Sequence, residues 1–155
     1  MSWTIRKTTL RLYPPIWFLL FSITAFLVHW LWPLSFDLPI PMKMISVAVM
    51  VSGVVLAAWA RATFRSYDTS ANPYAEADCL VTTGPYRYSR NPMYTGMLLV
   101  LIGLGFWLQS FTALMVTPLF VYVINHFHIV PEEQRLMKRF GKTFNDYCAT
   151  TRRWF

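Results

Sequence analysis

Charge is what this sequence has least of. Asp, Glu, Lys and Arg make up 14% of its 155 residues, against about 25% in ordinary globular domains. Hydrophobic residues make up 55%. A chain this short has no interior large enough to hide so much apolar surface from water, which excludes a soluble globule. The same figures exclude disorder and a collagen-like fibre. Cysteine is nearly absent: Cys79 and Cys148 are the only two, too few for a disulfide scaffold and without metal-ligand spacing. Acidic residues number seven against fourteen basic ones, a net charge of +7. On a soluble protein that excess would point to nucleic acid; on an apolar chain it points to a lipid surface.

What is present is a set of long uncharged runs. Residues 12–36 hold no formal charge, nor do residues 44–60 or 91–131. The first run exceeds the ~20 residues that span a bilayer, and it ends in Trp and Pro rather than at a small-residue cleavage site, unlike a signal peptide. The second is short, and Lys43 and Arg61 extend it by snorkelling. The third fits two spans, with Gln109-Ser110 as a turn between them. The expectation is an all-α integral membrane protein forming one domain over 1–155. Its four transmembrane helices fall at about 12–34, 43–61, 92–109 and 111–130, followed by a cytoplasmic segment at 131–155. Gly53, Ala57 and Ala60, and likewise Gly96 and Gly103, are small residues at helical spacing that permit close packing in lipid.

Basic residues orient these spans. Arg6, Lys7 and Arg11 precede the first, while Arg61, Arg65, Arg87 and Arg90 separate the second from the third. Arg135, Lys138, Arg139, Lys142, Arg152 and Arg153 follow the fourth, and only Lys43 falls on the other side. Cytoplasmic loops carry such an excess, so both termini are expected inside.

Two polar segments stand out on that side. Residues 61–92 are too long for a plain connector. Their second half, Leu80-Val81-Thr82-Thr83-Gly84-Pro85-Tyr86-Arg87-Tyr88-Ser89-Arg90-Asn91-Pro92-Met93-Tyr94, is dense in turn formers, and Pro92 suits a helix start. The bland reading is a stiff basic interface loop with aromatic anchors, its aromatics including Tyr67, Tyr74, Tyr86 and Tyr88. The functional one is a clamp where free backbone N–H groups and Arg90 attract an anion. The second segment is Asn125-His126-Phe127-His128-Ile129-Val130-Pro131-Glu132-Glu133. Pro131 with two following acids reads as a fresh helix start, its carboxylates complementing the dipole. If the helix instead runs through Pro131, His126 and Glu133 share one face, and Glu132 is the more solvated acid.

Together these segments resemble the isoprenylcysteine carboxyl methyltransferase family and the related membrane phospholipid methyltransferases. The resemblance rests on 80–87, on Ser89-Arg90-Asn91-Pro92-Met93-Tyr94-Thr95-Gly96, and on Glu132-Glu133 with Leu136, Phe140-Gly141, Phe144, Tyr147 and Arg153-Trp154. It covers about half the chain. It implies a membrane enzyme that uses S-adenosylmethionine without a Rossmann domain, and no G-x-G-x-x-G occurs here. The implied cytoplasmic cofactor pocket comprises Leu80, Val81, Gly84, Tyr86, Arg87, Arg90, Asn91, Pro92, Tyr94, His126, Glu132 and Glu133, with Arg90, Tyr94 and Glu133 nearest the chemistry. No metal is implied. Asn91 stands where the eukaryotic prenylcysteine enzymes have His, and Thr150 where they have Arg. The Arg-Asn-Pro-x-Tyr form resembles small bacterial relatives, which implies a bacterial inner membrane. The implied partners are the bilayer and a hydrophobic or lipidic methyl acceptor (a carboxylate, thiol or amine), with no nucleic acid.

Two other readings compete. A non-enzymatic four-helix scaffold binding anionic lipid explains the spans and charges but not the clamp loop or the paired acids. A metal handler using His126, His128 and the acids lacks a carboxylate along a pathway through the spans. The charge pattern makes a prediction of its own: reporters at Ser2 and Phe155 will lie on one side of the membrane, and one at Gln109-Ser110 on the other. Finding Ser110 on the same side as either terminus defeats four spans.

Overall fold

The computed structural model describes residues 13–67 and 79–155; Arg6, Lys7, Arg11 and Tyr74 lie outside them. The described residues are helical: α1 (Pro14–Leu31), α2 (Ile40–Ser66), α3 (Pro92–Trp107), α4 (Phe111–Ile124), α5 (Val130–Phe140) and α6 (Lys142–Thr150). Proline opens α1, α2 and α3, where its missing N–H costs no helical bond. Ser110 caps α4 by accepting from the Ala113 N–H.

Among the described residues three helices are long and apolar enough to cross a membrane: Pro14–Leu31, Ile40–Ser66 and Phe111–Phe140. The fourth expected span is shorter. Pro92–Trp107 has 16 residues, about 24 Å of helix against a hydrocarbon core of about 30 Å. At the other extreme, α2 runs 27 residues, well beyond the 43–61 expected, because no proline or glycine cluster stops it at Arg61.

Pro131 does not start a separate helix. The helix is continuous from Phe111 to Phe140, passing through a π-helical turn at Asn125–Ile129 that closes with the Val130 N–H on the Asn125 carbonyl. Such a turn takes an extra residue, and it lies just ahead of the proline whose ring would otherwise press on the preceding turn. At 30 residues the helix is about 45 Å long. Its apolar part ends at Val130, and the charged α5 extends beyond it.

The core joins α1, α3 and α4. Phe21 and Ala25 meet Leu98, Leu101 and Leu104 of α3 and Ala113, Val116, Phe120 and Ile124 of α4. Helix α2 packs instead along α3, through the small residues noted in the sequence. A Cβ on Gly53 would lie 2.5 Å from the Gly96 carbonyl oxygen, and one on Gly96 would strike the Gly53 carbonyl and Ala57. The two backbones therefore touch. At one end of the bundle Ser35 bridges Ser110; elsewhere Ser89 bridges Arg152.

Gly53→Val should cost about 1–3 kcal/mol by overpacking, read as a lower Tm in detergent. An unchanged Tm would show that α2 and α3 separate without penalty.

Candidate functional site

The site begins with a turn that only glycine enters without strain. Gly84 has φ +59° and faces Thr63, and it opens a single 3₁₀ turn, Gly84–Arg87. That turn buries Pro85 and Tyr86, with the Tyr86 ring edge-on to Phe64 of α2 at 5.0 Å. The Tyr147 hydroxyl of α6 donates to the Tyr86 carbonyl at 2.6 Å. Burial pushes both phenols above their usual titration range, Tyr86 further aided by the negative charge of Glu132. The Tyr86 hydroxyl itself is buried and has no hydrogen-bond partner among the described residues.

The next residues are stitched to the segment after α6. The Arg90 N–H donates to the Arg152 carbonyl at 2.8 Å. Asn91 Nδ2 donates to the Arg153 carbonyl at 3.0 Å, and Thr95 Oγ1 to that of Trp154 at 3.2 Å. The Arg90 guanidinium donates through Nη1 to the Cys148 and Thr151 carbonyls, at 3.1 and 2.6 Å. Through Nε and Nη2 it donates to Glu133 Oε1, at 3.2 and 3.0 Å. Arg90 thus spends most of its five donors inside the protein, although the sequence suggested an anion clamp.

Glu133 is held from two sides. Arg153 Nε donates to its Oε1 at 3.2 Å and Arg153 Nη2 to its Oε2 at 2.5 Å. Its side chain is 17% exposed, and that of Arg90 13%. Glu132 is placed differently. Part of it is exposed, but protein surrounds its carboxyl group and Tyr94 hydrogen-bonds to it. Burial raises its pKa to about 7; Arg135 and Tyr94 oppose the shift and Glu133 adds to it. Glu132 is therefore the enclosed, weakly compensated acid, not the solvated one expected.

A cavity of about 1410 Å³ joins these parts. Leu80, Val81, Tyr86, Arg90, Asn91, Pro92, Tyr94, Glu132 and Glu133 all line it. Gly84 and Arg87 do not: the glycine shapes the turn from behind, and Arg87 is exposed. His126 is also absent from the wall, exposed and stacked on Tyr122 at 6.0 Å. The π turn explains this, since one extra residue sets back everything beyond it by about 100°. His126 and Glu133 then no longer share a face. His128 turns inward instead, buried beside the Tyr94 ring at 6.4 Å. Sequence reasoning missed the wall supplied by Phe18, Gly53, Ala57, Arg61 and Met97. Arg61, charged at the end of an apolar run, was the one visible signal among them.

Comparison with known proteins bears on the whole arrangement. The phospholipid methyltransferase family profile matches residues 42–143. An uncharacterised protein of Haemophilus influenzae is 37% identical over 62 residues, which is 40% of this chain and 98% of that protein. A nickel-cobalt-cadmium resistance protein of Alcaligenes xylosoxydans xylosoxydans is 32% identical over 76 residues, 49% of this chain but 35% of that protein. Among the described residues no group of three or more His, Cys, Asp or Glu is placed to hold a metal ion.

Removing the Glu133 charge should loosen the junction of three segments. Glu133→Gln is expected to cost about 2 kcal/mol, a Tm lower by roughly 4–8 °C. Arg87→Gln, on the exposed face, should stay within about 0.5 kcal/mol. Equal melting of both variants would refute the structural role.

Proposed function

This chain belongs to the phospholipid methyltransferase family, and on that premise we propose an integral membrane enzyme that methylates a lipidic or small hydrophobic acceptor with S-adenosylmethionine. One observation carries the reading. Two polar segments about forty residues apart in sequence line a single cavity, which also reaches the apolar residues Gly53, Val54 and Met97.

The wall suits the cofactor's chemistry. Glu133 Oε2 accepts a hydrogen bond from Arg153 and has capacity for the amino group. Arg90 and Arg153 fix that carboxylate in place. Arg61, Arg135, Lys138 and Arg139 line the same cavity and suit a carboxylate. The rings of Tyr86 and Tyr94 favour a sulfonium by cation–π attraction, and the unpartnered Tyr86 hydroxyl offers a polar contact. When bound, S-adenosylmethionine supplies an already electrophilic methyl group. The protein's part is to align the acceptor and keep water away. Cytosolic entry of the cofactor and lateral entry of the acceptor follow if the basic ends face the cytoplasm of a bacterial inner membrane.

The scaffold reading leaves the enclosed acid and the 1410 Å³ cavity without a use. Calorimetry in detergent should detect S-adenosylhomocysteine binding that a chelator leaves unchanged. Glu133→Gln should weaken it at least ~30-fold, about 2 kcal/mol, measured well below its Tm. Glu132→Gln should cost under ~10-fold. No binding by folded protein would favour the scaffold.

A further inference from the structure

The two consecutive acids differ in one respect that cofactor binding does not use. Glu133 is neutralised by two arginines, whereas Glu132 lines the cavity with a phenol as its hydrogen-bonding partner. We infer that Glu132 is the general base of the reaction, taking a proton from an acceptor that arrives protonated on nitrogen or sulfur. This rests on the methyltransferase reading above and narrows its acceptor to an amine or thiol.

The geometry separates the two duties. Adjacent residues on a helix point about 100° apart, so Glu133 meets Arg90 and Arg153 while Glu132 faces Tyr94, Tyr86 and the cavity. The charged and titratable groups around Glu132 come from several elements. Arg135 and Glu133 are on its own helix, Tyr94 and Arg90 are at the start of α3, and Tyr86 is on the 3₁₀ turn. Arg61 of α2 lines the same cavity, and His128 lies one turn back. Arg135 draws the carboxyl toward its ionised form, and burial opposes it. With its pKa raised to about 7, the carboxyl accepts a proton far more readily than an exposed one. A carboxylate acceptor, already ionised, has no use for such a group.

The step balances simply. The acceptor's N–H or S–H bond breaks and a carboxyl O–H bond forms on Glu132. The electron pair left on nitrogen or sulfur takes the methyl group from the sulfonium donor, whose sulfur keeps the pair of its broken C–S bond. Glu132 then loses its proton to water. Tyr94 donates to the ionised form before the transfer, and so holds the carboxyl group in position to receive the proton.

The test uses the intact protein in vesicles of dioleoyl lipids bearing a primary amine, a thiol or a carboxylate headgroup, with labelled S-adenosylmethionine under single-turnover conditions. Transfer should go to the amine or thiol lipid, with a rate that rises with pH to a plateau above about 7. Glu132→Gln should lose at least ~100-fold in rate while still binding S-adenosylhomocysteine within ~10-fold. Independently of turnover, infrared titration should reveal a carboxylic acid band present at pH 6 and gone by pH 8, missing in Glu132→Gln. Transfer to the carboxylate lipid alone, transfer to none while S-adenosylhomocysteine binds, a variant within ~3-fold of the parent rate, or no such band overturns the assignment. Failure to bind S-adenosylhomocysteine at all instead overturns the cofactor reading.

Discussion

One carboxylate between two guanidinium groups organises this protein. Glu133 takes hydrogen bonds from Arg90 and Arg153, and so ties the helix after the π turn to the start of α3 and to the segment after α6. In a chain with so few acids, placing one between two cations fixes where three distant pieces of sequence meet. The pair is partly buried, so the Coulomb attraction is screened less than on an open surface. Loss of the carboxylate would leave two guanidinium groups facing each other, a larger penalty than the net worth of the ion pair.

The apolar helices were legible because long uncharged runs follow directly from the cost of charge in lipid. Convergence of 80–94 with Glu132 and Glu133 was also legible, through the resemblance of two ordered motifs. The placement of the two acids was not. It depends on the π turn at Asn125–Ile129, a one-residue shift in hydrogen bonding that leaves the sequence pattern of an ordinary helix. Facing arguments carried through 125–129 therefore put His126 inside and Glu132 outside, the reverse of what is found. Pro131 was a clue that the helix needed relief, but it pointed equally to a break.

Arg90 teaches a related lesson. A cation at a helix start reads as an anion site, because free N–H groups and the dipole add to its charge. Here the anion is the protein's own Glu133, and main-chain carbonyls of Cys148 and Thr151 take the remaining guanidinium bonds. Such partners carry no side-chain signature, so nothing in 148–151 announced them. The wall contributed by α2 was hidden for a similar reason: Gly53 and Ala57 looked like packing residues and are that too, with one flank against α3 and the other on the cavity.

The seam between 89–95 and 151–154 is made largely through backbone oxygens, those of Thr151, Arg152, Arg153 and Trp154. Those four positions are the last of the site to leave the ribosome. A nascent chain can settle its apolar helices in the bilayer while Arg90 still lacks its carbonyl partners and Glu133 lacks one of its two arginines. The hydrogen bonding that fixes Arg90 and Glu133 in the cavity wall is thus completed only once synthesis has passed Arg153, and a product released earlier would carry the apolar helices without a finished site. Drift in side-chain identity along the carbonyl-bearing stretch is tolerable to that extent, since Arg90, Asn91 and Thr95 read its main chain; Arg153, which also grips Glu133, and Trp154, which packs against the core, are exceptions.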